Sequence, residues 1–365
     1  MPEKSFIPGR TLSRLFHEQA VEPILRAQYP DLVYAAALIG SGSEVLGFDT
    51  RQSTDHHWGP RVMLFLDERD HATVAYDVSR VLSERLPHEF MGYSTNFGPA
   101  DEIGVRLLVP GRAGADNHRV ELLTIRSFFT AYLGWDGLAD PSVEEWLTFS
   151  EHRLRAVTGG ALFSDPAGTL TDVRDRLAWY PHDVWLYLMA AEWNRIADEE
   201  AFVGRCGDVG DEIGSRLIAA HIVQSLMRVC FLLERVYPPY AKWFGTAFRQ
   251  LTCAPQLEPQ FEAVLHADSW RGREAALSVA YSRVATMHNH LALTASIDPA
   301  VSAYHDRPFL VIHADRFVSA LHCAIEDEEI RQLPVALGSI NQWVSSSNTF
   351  EQEHLRDAIR STYRA

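Results

Sequence analysis

Gly42-Ser43-Glu44-Val45-Leu46-Gly47-Phe48-Asp49-Thr50-Arg51-Gln52-Ser53-Thr54-Asp55-His56-His57-Trp58 is the stretch on which the reading of this chain turns. An apolar run, Val33 to Ile39, comes before it, and a second, Val62-Met63-Leu64-Phe65-Leu66, comes after it. Short apolar runs bounded by Gly and polar residues predict buried strands, here joined by a Gly-Ser turn and a polar loop. A glycine lets backbone approach phosphate oxygens closely, and a serine hydroxyl with neighbouring N–H groups can bond them. A carboxylate where the next strand begins can hold a metal ion against the same phosphates.

Working outward, residues 11–28 carry Leu12, Leu15, Phe16, Ile24 and Leu25 at helical spacing, with Thr11 or Ser13 as candidate caps and Pro30 as the stop. Residues 71–86 predict a helix that ends before Pro87. Residues 103–109 and 119–125 read as two further strands around a Gly/Asn/Asp turn at 110–118. Strands and helices mixed over the first 135 or so residues imply an α/β or α+β unit with a small sheet. Beyond about residue 140 period-2 alternation all but disappears. Helical patterns take over at 142–157, 170–177, 183–203, 211–236, 240–252, 257–266, 269–294 and 313–326. The broad apolar stripe from Leu217 to Leu233 reads as bundle core. The expected architecture is α+β, with a domain at 1–140 and a mainly helical, bundle-like one at 141–365; Gly159-Gly160 is one candidate junction.

The signature segment resembles that of the DNA-polymerase-β-like nucleotidyltransferase superfamily: Gly-Ser, a Gly four residues after the Ser, then a Ser and an Asp-x-Asp pair entering a strand. Here Gly47 follows Ser43 by four, Ser53 follows by ten, and Asp55 comes two after Ser53, one more than the commonest spacing. The third acid of that superfamily sits alone on a later strand, and Val120-Glu121-Leu122 fits its place. The helical half resembles the substrate domain of the antibiotic nucleotidyltransferases. More closely, residues from roughly 30 to 345 resemble an uncharacterised bacterial family that joins such a domain to a long helical half. The segments DHHWGPR (55–61), PPYAKWFGTAF (238–248), YHDRPF (304–309) and LGSINQW (337–343) carry that likeness.

The resemblance implies transfer of a nucleoside monophosphate from a nucleoside triphosphate, ATP being the expected one, to a hydroxyl of a small acceptor, with release of pyrophosphate. Such a displacement needs positioning and charge stabilisation, which carboxylates converging on Mg²⁺ or Mn²⁺ supply. Asp55 and Glu121 are the expected catalytic and metal-binding acids. Gly42-Ser43 would hold the leaving phosphates, Lys242 would reach the nucleotide from the helical half, and that half would bind the acceptor and cover the cleft. His57 stands where the second acid usually lies. Imidazole suits Mn²⁺ or Zn²⁺ better than Mg²⁺. Three readings stay open: one metal on Asp55 and Glu121, a softer metal that also uses His57, or a retained fold that has lost catalysis. The rivals are therefore a degenerate nucleotide-binding or protein-interaction module and a protein adenylyltransferase.

Asp49 is a spare loop acid, His56 reads as structural, and Asp183 and Arg61 are lesser candidates. Arg228, on an apolar helix face, snorkels, pairs with an acid such as Glu234, or points to phosphate. Asp208 and Asp211 read as helix caps, and His288-Asn289-His290 as helix surface. Composition narrows the partners. A formal net charge of -15 argues against extended nucleic-acid contact and suits a cationic acceptor. The four cysteines form no CxxC pair and read as thiols of a reducing cytoplasm. The first residues lack the apolar core of a signal peptide, and no uncharged apolar stretch of about 18 residues suggests a membrane span. No P-loop, GxSxG or HExxH motif occurs.

Overall fold

In a computed structural model, residues 6–55, 58–98, 107–109, 117–344 and 353–363 are described; for Asp55, Glu353, His354 and Arg356 this holds for the backbone only. The chain forms two compact units, residues 1–140 with 153–178, and residues 141–152 with 179–365.

The first unit is an α+β layer. Helix α1 (Gly9–Phe16) runs through a π turn (His17–Val21) into α2 (Glu22–Gln28). The sequence predicts one helix here. Pro23 lacks an N–H and its ring crowds the preceding turn, which is the physical reason for the widening just ahead of it. Neither predicted cap is used, for α1 begins at Gly9 and Pro8 precedes it. Strand β1 (Ala35–Leu38) leads to a one-turn helix α3 (Ser43–Leu46), a 3-10 turn (Arg51–Asp55) and strand β2 (Arg61–Phe65). Helix α4 (Glu68–Arg85) starts at Asp67, whose side chain accepts from the Asp70 N–H, and stops before Pro87. A small hairpin, β3 (Glu89–Phe90) and β4 (Tyr93–Ser94), precedes β5 (Arg119–Leu123) and α5 (Ile125–Leu133), the latter capped by Thr124 and Ser127. Of the strand expected at 103–109 only 107–109 is described, with a single bridge between Phe97 and Leu108.

Helices α6 (Val143–Thr148) and α7 (Glu151–Thr158) follow, and the division between the units falls inside α7. Gly159-Gly160 then leads into β6 (Ala161–Ser164), and α8 (Thr169–Arg176) completes the first unit. The sheet has the order β5-β2-β1-β6. Strand β1 lies antiparallel to β2 and β6, and β2 runs parallel to β5. Strand β6 escaped the sequence reading because its four residues are all half-buried and show no alternation. One sheet face, with Ala36, Val62, Leu64 and Val120, packs on Phe16, Val21 and Leu25 of the N-terminal helices and on Val78 and Leu82 of α4. Met63, Phe65 and Glu121 belong to the other face, where Phe65 meets Phe128 of α5 edge-on. Because β2 is buried on both faces it reads as an unbroken apolar run.

The second unit is helical: α9 (His182–Glu199), α10 (Phe202–Asp208), α11 (Glu212–Leu233), α12 (Ala241–Phe248), α13 (Ala254–His266), α14 (Trp270–His290) and α15 (Asp315–Ala324). A short hairpin, Ser302–Ala303 with Leu310–Val311, stands before α15. Helix α9 packs against both α11 and α15 and is buried continuously from Val184 to Trp193, as a helix surrounded by others must be. Trp185 donates its indole N–H to the Leu232 carbonyl at 2.9 Å, so a large ring is buried without an orphaned donor. By length and composition α11 alone among the described helices could cross a membrane, and half of its most apolar window is buried inside the protein. His288 is a correction. It is fully buried on α14, where its ring packs edge-on against Phe317 and Trp193, and burial lowers its pKa to about 4.

Candidate functional site

The predicted phosphate turn stands at the end of β1. Since β2 is antiparallel to β1 and parallel to β5, the start of β2 and the start of β5 come to the same end of the sheet as that turn. The register sets Ala37 beside Met63 and Met63 beside Glu121 and, two rows before, pairs Arg61 with Arg119. The Gly-Ser turn thus lies at the end of the sheet where β5 begins, and Glu121 stands in the middle row of β5, two residues in from that end.

Gly42 has φ 139°, and a Cβ there would lie 2.5 Å from an Arg61 guanidinium nitrogen and 2.6 Å from Glu44 Oε2. Its glycine is explained by that packing before any ligand is invoked. Arg61, buried with Glu44 beneath the turn, donates from Nε to Glu44 Oε1 at 2.9 Å and from Nη2 to the carbonyl of exposed Ser41 at 2.5 Å. Arg10 donates to the carbonyls of Glu44 and Val45, which also accept the backbone N–H groups of Gly47 and Gly160 respectively. Above this framework Ser43 is half-buried, and its hydroxyl has no hydrogen-bond partner among the described residues.

The expected acids fare differently. Asp55 does not open β2. It ends the 3-10 turn, six residues before Arg61, because Trp58-Gly59-Pro60 intervenes. Its side chain lies outside the described residues, as do His56 and His57. Glu121 is not a lone acid, for Arg119 donates to its Oε1 from Nε at 3.0 Å and from Nη2 at 2.5 Å. Oε2 makes no hydrogen bond among the described residues, and the side chain is one-third exposed. Asp49 serves the framework, because its Oδ2 accepts from the first N–H of α1 at Gly9, 2.7 Å away, and from the Trp58 indole at 3.1 Å. No group of three or more His, Cys, Asp and Glu residues suited to a metal occurs among the described residues. Those residues alone do not make a donor set for a divalent ion.

Lys242 belongs to the second unit. It is exposed in the first turn of α12, with Nζ 5.0 Å from the centre of the Trp243 ring. Asp183 accepts from the Glu326 and Asp327 N–H groups, and Asp211 caps α11 as expected. Asp208 instead ends α10. Glu234 is no partner of Arg228, because its carboxylate takes the N–H groups of Thr252 and Cys253.

Arg228 lies on the wall of a cavity of about 590 Å³ inside the helical unit, which the sequence reading missed. It donates from Nε to Glu192 at 2.7 Å and from Nη2 to Glu151 at 2.5 Å. Burial raises the pKa of Glu151, Arg228 opposes the shift and Glu192 adds to it. Burial also works against the charge on Arg228, but the two carboxylates outweigh it and raise its pKa. Tyr240, Phe244 and Trp343 line the same cavity, which therefore has an acidic floor and aromatic sides. Sequence spacing held a partial signal: Arg228 on an apolar helix, within reach of an acid on a second apolar helix.

Residues 146–244 match a family model described as "Domain of unknown function (DUF4037)". Among solved structures, the chain is similar to a nucleotidyltransferase-like protein from Exiguobacterium sibiricum 255-15. Identity is 13%, the TM-score is 0.34, and the alignment covers 85% of this chain and 89% of that one. No curated protein matches the chain.

Proposed function

We propose that the first unit binds a nucleoside triphosphate at the Gly40–Ser43 turn and transfers its nucleoside monophosphate to a hydroxyl of a small acceptor, releasing pyrophosphate. The observation that carries the reading is the sheet register, which puts the turn, with a serine hydroxyl free of partners among the described residues, at the end of the sheet where β5 begins, two residues before Glu121. Ser43 would bond the leaving phosphates. Asp55, Glu121 and His57 would hold Mg²⁺ or Mn²⁺, which on binding supplies charge stabilisation at the phosphates. Glu121 Oε2 is the oxygen left to such a metal.

Calorimetric titration of ATP with Mg²⁺ and with Mn²⁺, run beside a pyrophosphate-release assay over acceptor pools, tests the proposal. Asp55→Asn and Glu121→Gln should each abolish metal-dependent release while the protein stays folded, and His57→Asp should move the Mn²⁺/Mg²⁺ activity ratio toward Mg²⁺. Unchanged release in either acid variant would remove these residues from the site. A second reading has its own observation, the Arg119 guanidinium already seated on Glu121. On that reading the unit binds a nucleotide without turning it over, and ATP titrates normally with no pyrophosphate released.

A further inference from the structure

The cavity of the helical unit has the volume of a small-molecule site, about 590 Å³. Its charges do not close among themselves. Glu192 is fully buried; Oε1 accepts from Arg228, and Oε2 has no partner among the described residues. Arg195, one turn further along α9 and also on the cavity wall, forms no ion pair among the described residues, and its Nε is buried without an acceptor. An unpartnered buried carboxylate oxygen and an unpartnered buried guanidinium N–H are each costly, and native interiors seldom keep either without a reason. Here both occur on one wall of one cavity, and they are of opposite kind.

We propose that this cavity is a binding site for a small zwitterion of the amino-acid class, its ammonium held at Glu192 and its carboxylate at Arg195. Each half of the ligand would satisfy one orphaned group. Tyr240, Phe244 and Trp343 would flank its carbon skeleton, and an ammonium also gains from an aromatic face. A ligand with only one charge satisfies one group and leaves the other buried alone. The remaining charged wall residues lean acidic. Asp198 and Glu199 line the cavity, and Glu199 faces His221 at 3.4 Å. Neutral and basic side chains are therefore favoured over acidic ones. The site lies within the helical unit alone and does not depend on nucleotidyl transfer.

The experiment is calorimetric titration of the full chain with the common L-amino acids, β-alanine and γ-aminobutyrate, each at millimolar concentration. Any binder is then titrated again as its methyl ester and as its N-acetyl form. The expected result is saturable one-site binding of at least one zwitterion, with both single-charge analogues at least about tenfold weaker. Loss of a hydrogen bond to a charged group corresponds to about ten- to a hundredfold in affinity, so Arg195→Gln and Glu192→Gln should weaken the same ligand by that factor. Arg195→Gln removes no described ion pair and should melt like the parent. If Glu192→Gln fails to fold, Arg195→Gln and the two analogues still decide the matter. The proposal is overturned if no zwitterion binds, if ester or N-acetyl form binds as tightly as the parent, or if Arg195→Gln retains full affinity.

Discussion

Each unit buries an arginine among carboxylates, and the two arrangements differ in count. In the first unit Arg61 meets Glu44 one to one and finds a further acceptor in the Ser41 carbonyl. Glu44 Oε2 is left over, but the charges balance, and Gly42 closes the packing over them. In the helical unit one guanidinium serves two buried carboxylates, Glu151 and Glu192. That cluster of three is one unit negative, and Arg195 stands on the same cavity wall outside any described ion pair. A buried ion pair that balances fixes a turn. One that does not balance leaves charge available to something that enters.

The largest effect that would sharpen this contrast is expected from Arg228→Met. It strands two buried carboxylates, and removal of one partner from a buried pair costs about 3–5 kcal/mol. Urea unfolding followed by far-UV circular dichroism should show that loss, and a loss below about 1 kcal/mol would mean that water reaches both acids. Arg61→Met strands a single carboxylate and should cost about 3 kcal/mol. Adding Glu44→Gln to it should recover part of the loss, and no recovery would show that packing rather than charge holds the turn.

A pH test comes next, and its two groups have opposite signs. His288 titrates at about 4 folded and 6.5 unfolded, so the stability it contributes is present above pH 6.5 and is lost as pH falls toward 4. Burial raises the Glu200 carboxyl to about 7 despite N–H donation from Ile312 and Ala314. Its contribution is present below pH 4.5 and is lost as pH rises toward 7. Each amounts to roughly 3 kcal/mol, and between about pH 4.5 and 6.5 they oppose one another. Relative to the parent, Glu200→Gln should make stability fall more steeply on acidification through that window, and His288→Phe should make it fall less steeply. Parallel profiles for parent and variants would show that neither group is held away from its ordinary pKa. The smallest effect belongs to Ser43→Ala. Its hydroxyl has no partner among the described residues, so stability should move by no more than about 0.5 kcal/mol. A larger loss would assign Ser43 to the framework with Glu44 and Arg61.

What the sequence disclosed depended on how local its cause was. The apolar runs at Val33–Ile39 and Val62–Leu66 predict β1 and β2, and the long helical patterns predict α4, α9, α11 and α14, because burial writes its period directly into neighbouring residues. The change from mixed α and β to helical character was readable for the same reason. Arg61 and Glu44 were not legible as a pair, since only the fold of the turn brings them together across seventeen positions. Arg119 lies two residues from Glu121, yet their bond depends on both side chains standing on the same sheet face. His288 read as surface because its neighbours Asn289 and His290 are polar, whereas the packing of Trp193 and Phe317 decides its place. The cavity arises from α9, α11 and the segments around Tyr240 and Trp343, and no single stretch of sequence announces it.

The exposure of Trp343 has an optical consequence. Of the chain's nine tryptophans it alone is strongly solvent-exposed, at 44%, while Trp58, Trp185 and Trp193 are almost wholly enclosed. A collisional quencher such as acrylamide should therefore extinguish one red-edge emitter first and leave the bluer population glowing. Because that emitter sits on the cavity wall, occupation of the cavity would be seen as shielding of the quenchable fraction, without any label attached to the protein.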